Sequence, residues 1–134
     1  MILLTPELHA ALRVNADRSA ESDHDPVPVV KFFNPCGAAT WLATELDRDG
    51  DTLFGLADLG FGCPELGSFS LSEMASLRLP FGLGIERDLS FASIHPISTW
   101  TERARRAGSI LWAETLLRRA ASQPANDELP PKGG

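Results

Sequence analysis

Thr40-Trp41-Leu42-Ala43-Thr44-Glu45-Leu46, Asp47-Arg48-Asp49-Gly50-Asp51, and then Leu53-Phe54-Gly55-Leu56-Ala57 decide the fold. The first run alternates, with Trp41, Ala43 and Glu45 on one face and Leu42, Thr44 and Leu46 on the other. The polar stretch contains Asp-Gly, and glycine accepts the positive φ that a tight turn requires. An apolar run resumes at Leu53. This is a β-hairpin, and it makes a mainly antiparallel sheet the centre of the molecule.

Outward from the hairpin, Val29 to Phe33 is β-branched and aromatic, a strand that Pro28 confines to an edge or a strand start. Asn34-Pro35-Cys36-Gly37 turns the chain. After the hairpin, Gly60, Gly62 and Pro64 make an irregular connection, and Leu66 to Phe69 reads as a short strand. Ser70-x-x-Glu73 is a capping box that opens a short helix ended by Leu79-Pro80-Phe81-Gly82. Leu83 to Phe91 alternates again, with Ile85, Leu89 and Phe91 sharing a face.

Helices flank this core. Thr5-Pro6-Glu7 supplies a cap, a first-turn proline and an acid at the positive end of the dipole. The helix is expected to run to about Val14 and to bury Leu8, Ala11 and Leu12. Asn15 to Pro28 is polar and expected to be a mobile surface loop. Thr99-x-x-Glu102 is a second capping box, opening a long helix. Its apolar stripe of Trp100, Ala104, Ala107 and Leu111 drifts toward Ile110, Ala113, Leu117 and Ala120, which places a bend near Gly108. The expected fold is one α+β domain over residues 1–122, with a four- to five-stranded antiparallel sheet, an N-terminal helix, a short middle helix and a long C-terminal helix over 99–122. Residues 123–134 are expected to be a disordered tail.

The 134 residues suit one domain, and 43% hydrophobic with 22% charged residues is globular composition. No apolar run reaches the ~18 residues that span a bilayer, so a cytoplasmic protein without a membrane partner is expected. Net charge is −6, unevenly spread. Residues 1–98 carry six Lys/Arg against fourteen Asp/Glu, and residues 99–134 six against four. An acidic body disfavours general nucleic-acid binding.

Val30-Lys31-Phe32-Phe33, Trp41 to Glu45, Leu53-Phe54-Gly55, Pro64 to Glu73 and Gly84-Ile85-Glu86-Arg87-Asp88-Leu89-Ser90-Phe91 together resemble a bacterial domain-of-unknown-function family. The resemblance covers about residues 1–100, including the opening Leu-Leu-Thr-Pro-Glu-Leu, and the chain beyond Gly108 looks specific to its own lineage. It implies a small accessory protein encoded on plasmids and integrative elements, near antirestriction and conjugation genes. It implies no catalytic residues.

Several residue groups invite chemistry. Asp47-x-Asp49-x-Asp51 suggests calcium, but Thr52 stands where an EF-hand loop needs glycine and a bidentate Glu is missing. Glu86 and Asp88 project from one strand face; with Glu65 or Glu45 they form the donor set of an alternative reading, a metal-dependent hydrolase. A solvated strand face is the simpler account, and no metal or cofactor is assigned. Arg87 falls on the face of Ile85 and Leu89, where a charge needs a partner, and Glu45, Glu65 and Glu73 are the candidates for an ion pair. Cys36 and Cys63 lack metal-type spacing and are expected to be buried free thiols. His95 with either cysteine has no supporting local context, and Gly60-x-Gly62 lacks the rest of a dinucleotide loop.

The C-terminal helix carries Arg103, Arg105, Arg106, Arg118 and Arg119, and Trp112 falls away from its apolar stripe. An exposed tryptophan among arginines is the composition of a protein-binding hot spot. The leading expectation is therefore a non-enzymatic interaction module with a protein partner, its binding residues Trp112, Arg105, Arg106, Arg118 and Arg119. A nucleic-acid accessory protein using the same arginines is the other alternative.

Overall fold

A computed structural model describes residues 2–122, so the tail expected over 123–134 lies outside the described residues. The chain forms α1 (Pro6–Glu21), β1 (Val30–Phe33), β2 (Thr40–Leu46), β3 (Thr52–Asp58), β4 (Glu65–Ser70), α2 (Leu71–Ser76), a 3-10 turn (Pro80–Gly82), β5 (Glu86–Arg87), α3 (Ile97–Ala107) and α4 (Ile110–Ser122). The strands make one antiparallel sheet in the order β4-β3-β2-β1-β5. The architecture is α+β, as the hairpin and its flanking patterns predict.

Alternation along the strands supplies two cores. Leu12 of α1 and Met74 of α2 pack with Val30, Phe32, Trp41 and Leu53. Leu42 and Leu56 pack instead with Trp100 and Ala104 of α3 and Ile110 and Leu117 of α4. The sheet is thus covered by helices on both faces.

The hairpin closes as read: Gly50 takes φ 73 and its N–H bonds to the Asp47 carbonyl. One detail differs. Register shifts between Ala43 and Glu45, so Thr44 is an extra residue in β2. The bulge resets the alternation, and Leu46 joins Trp41 and Ala43 in the first core rather than Leu42 in the second. Gly55 lies opposite Ala43, and a Cβ there would stand 1.9 Å from the Leu42 carbonyl oxygen.

α1 continues seven residues past Val14, to Glu21. Apolar spacing fades there because the helix turns polar groups toward β2. β1 pairs β2 only as far as Val30 opposite Ala43, which leaves later β2 carbonyls without a strand partner. Asn15 Nδ2 donates to Thr44 O at 3.0 Å, Arg13 Nη1 to Leu46 O at 2.6 Å, and Ser19 Oγ to Glu45 Oε2 at 2.7 Å. Ala11, expected in the core, is exposed, while Leu12 is fully buried. The rest of the expected loop is tied down. Ile97 N donates to Pro26 O, and Asp25 accepts from the Ser98 N–H and hydroxyl.

Those contacts also start α3. It begins at Ile97 with Pro96 as cap residue, so Thr99-x-x-Glu102 lies inside the helix and Asp25 supplies the cap from a distance. The expected long helix is two helices. Gly108, at φ 82, ends α3 in the left-handed conformation, and Ser109 Oγ accepts the Trp112 N–H to open α4. The expected strand over Leu83 to Phe91 shrinks to β5, because the Asp88 carboxylate accepts from Ser90 N and its carbonyl from Phe91 N, turning the chain. Ile85 is buried, but Leu89 is exposed and does not share its face. Cys36 and Cys63, placed by their turns, are exposed rather than buried. No helix among the described residues is long and apolar enough to cross a membrane.

Candidate protein-interaction face

α4 presents two apolar stripes. The inner one, Ile110, Ala113 and Leu117, is the core stripe the sequence predicts. The outer one consists of Trp112 and Leu116, exposed by 52% and 42%; Leu111, 40% exposed, lies to the side of it, at a cleft with Lys31 and Arg87. Trp112, Leu116 and Arg119 follow the spacing that stacks side chains on one helix face. The Arg119 guanidinium carbon stands 5.8 Å from the Trp112 ring centroid, a cation–π contact worth about 0.5–1 kcal/mol at an exposed site. It holds the indole in place while leaving much of its surface to solvent.

The remaining arginines are not equivalent. Arg118 Nη2 lies 3.6 Å from Glu114 Oε2, and Arg106 and Arg103 lie 3.9 and 4.0 Å from the Glu102 carboxylate. Arg105 and Arg106 occupy the last turn of α3, where positive charge complements the helix dipole. Of the residues the sequence proposes for binding, the structure joins Trp112 to Arg119. It gives Arg118 and Arg106 carboxylate partners on their own helices and places Arg105 in the last turn of α3.

α4 is fixed to the sheet by two polar contacts that sequence reasoning missed. Lys31, buried in β1, places its Nζ 2.7 Å from Glu114 Oε1 and 3.3 Å from Asp88 Oδ2. The only signal was a lone charge inside the apolar run Val29 to Phe33. Asp58, buried at the end of β3, accepts the Ile110 N–H at 2.9 Å through one oxygen and the Gly60 N–H through the other. Its carboxylate therefore satisfies an orphan amide at the start of α4, where the dipole favours an anion.

The other proposed residues scatter. Arg87 Nη1 donates to the Ile2 and Leu3 carbonyls at 2.8 and 3.0 Å, tying the chain's start to β5. Glu65 lies on β4, at the opposite edge of the sheet, Glu45 accepts from Ser19, and Glu73 sits in the first turn of α2. Glu86 and Arg87 border a cleft of about 340 Å³ with Lys31, Asn34 and Leu111, but the Asp88 carboxylate beside it faces the Lys31 ammonium. Among the described residues, no three His, Cys, Asp or Glu side chains gather closely enough to hold a metal ion. The Cys36 thiol faces the Pro80 carbonyl. His95 borders a separate cleft of about 280 Å³ with Trp100, Glu114 and Arg118. The aspartates of the hairpin serve structure. Asp51 accepts from Ser70 Oγ and Ser72 N, and Asp49 from Thr52 Oγ1, Thr52 N and Asp51 N. These bonds hold both carboxyls below the ordinary range, the Ser70 hydroxyl chiefly for Asp51 and the Thr52 hydroxyl chiefly for Asp49.

Residues 3–111 match the family described as "Protein of unknown function (DUF2958)". The chain belongs to this family. The DUF2958 match takes in the whole sheet with α1, α2 and α3, and reaches the second residue of α4. It extends eleven residues past the 1–100 expected from the sequence. Trp112, Glu114, Leu116, Arg118 and Arg119 lie beyond it, whereas Lys31, Asp58 and Asp88 lie within it. No curated protein and no solved structure matches the chain.

Proposed function

We propose that this DUF2958 protein is a non-enzymatic interaction module whose binding face is the outer side of α4. The observation that carries the reading is the second apolar stripe. A surface helix needs one apolar face to dock on its own sheet, and α4 has that face in Ile110, Ala113 and Leu117. Trp112 and Leu116 serve no such purpose, and tryptophan and arginine are among the residue types enriched at binding hot spots. The partner is a protein. The mobile-element setting, with a role in counter-defence or plasmid maintenance, rests on the family resemblance of residues 1–100.

The nucleic-acid reading has weaker support. Glu114 and Glu102 stand beside Arg118, Arg106 and Arg103, and Arg119 lies over the indole that a base would have to stack on. The metal-hydrolase reading has less, since Asp88 is neutralised by Lys31. The test is capture of tagged protein from extract of its own host, with Trp112→Ala and Leu116→Ala in parallel. A partner retained by the natural sequence and lost by both variants supports the proposal. A partner retained equally by all three overturns it.

A further inference from the structure

The outer edge of β4 offers unmet main-chain hydrogen bonds. The Leu71 N–H bonds to Asp51 O, and β4 pairs β3 in unbroken register from Ser70 opposite Thr52 to Glu65 opposite Ala57. Antiparallel alternation then gives Glu65, Gly67 and Phe69 to the bonds with β3 and turns the N–H and C=O of Leu66 and Ser68 outward. Among the described residues, none bonds to those outward groups. Sheet edges are ordinarily blunted by lysine, proline or a bulge. β4 has none of these over its six residues.

Two further features say what fits there. Phe54 and Leu66 are exposed by 37% and 39%, and Phe54 lies opposite Ser68 while Leu66 lies opposite Leu56. They give an added strand apolar surface on one face. The segment of chain that carries β4 is itself acidic. From Asp49 to Leu77 the chain has five carboxylates and no Lys or Arg, and all but Asp58 reach solvent. Glu65 stands at one end of β4, and Asp51, bonded to Ser70 and Ser72, stands with Glu73 at the other.

We propose that β4 docks an extended segment of a partner protein as a sixth strand, with Lys or Arg at both ends of the paired stretch and apolar residues over Phe54 and Leu66. Main-chain bonds to Leu66 and Ser68 supply the pairing, and the flanking charges set the choice of partner. A second copy of this chain fits poorly. Antiparallel self-pairing sets Glu65 of each copy beside the Asp51 and Glu73 end of the other, between chains that each carry −6. This surface is independent of the α4 face.

The test is selection of random peptides of about eight residues, the length that spans such a strand with its flanks, on the full-length protein. Amide hydrogen exchange with the selected peptides follows. Selected peptides should be enriched in Lys and Arg at both ends and bind more weakly as salt rises. They should slow exchange at Leu66 and Ser68 on the order of tenfold at saturation. Ser68→Pro removes an outward N–H without breaking a bond to β3, and should abolish binding while the fold persists; Trp112→Ala should leave it unchanged. Failure to select peptides, selection without basic enrichment, or unaltered β4 exchange overturns the proposal. So does β4 protection that rises with protein concentration alone, which would put a second copy on the edge.

Discussion

Lys31 Nζ and Glu114 Oε1 lie 2.7 Å apart, joining β1 to α4 across 83 positions of sequence. The Lys31 side chain is 8% exposed and that of Glu114 16%, so both charges are largely withdrawn from water, with Asp88 close by. This contact fixes how α4 lies on the sheet, and therefore which side of α4 faces outward.

Removing Lys31 leaves two carboxylates near each other, with Glu114 held only by the exposed Arg118 and Asp88 without its cation. Lys31→Met should cost about 3 kcal/mol in urea denaturation, near the low end for broken buried pairs. Adding Glu114→Leu to that variant should recover roughly 2 kcal/mol, because apolar replacements of a buried pair are often tolerated. A Lys31→Met protein of unchanged stability would mean that the cluster is only superficial.

Two strand glycines should respond oppositely to alanine. At Gly55 the new Cβ meets the Leu42 carbonyl at 1.9 Å, a backbone atom in the ladder that sets Leu42 opposite Leu56, so Gly55→Ala should lose about 3 kcal/mol through overpacking. At Gly67 nothing lies within 4 Å, and alanine should be neutral or stabilising by about 0.5 kcal/mol through the unfolded chain. Equal effects at both sites would remove the close-approach argument.

The sequence made the sheet legible and left its fastenings hidden. Asp47 to Asp51 announces a turn through local chemistry, and the capping serine Ser70 does accept the Glu73 N–H. The second half of α1 was illegible because Asn15 answers the Thr44 carbonyl and Ser19 the Glu45 carboxylate, both on β2 and nearly thirty positions away. The start of α3 was misplaced for the same reason, since Asp25 caps it from outside the helix. At the candidate site, Trp112 stood out because it broke the apolar period of its own helix. Lys31 and Asp58 did not, and Asp88 stood out only as a candidate metal donor rather than as the partner of Lys31, since these pairings are set by tertiary contact alone.

Asp58 tests that hidden layer. Asp58→Ala leaves the buried Ile110 N–H without an acceptor and should cost about 2 kcal/mol, combining a lost cap with an unsatisfied donor. Hydrogen exchange should show α4 opening more readily than α1. Uniform loosening of both helices would contradict Asp58 as the anchor of α4.

Acid should loosen the hairpin's grip on α2. Asp49 and Asp51 have carboxyl groups held below their ordinary range in the folded protein. Their contribution is complete above the unfolded pKa and is lost as pH falls through the folded one. Asp51→Asn should flatten the decline in stability on the acid side. Identical acid titrations of variant and natural sequence would show that the bonds to Ser70 and Ser72 carry no linkage.

The most direct measurement places a photo-crosslinking residue at position 116 on the outer face of α4, with a control at the exposed position 75 on α2, in the protein's own host. One protein should be joined at position 116, absent at position 75, and lost when Trp112 is also changed to alanine. Cross-linking at position 75 alone, or at both positions regardless of Trp112, would contradict an interaction face on α4.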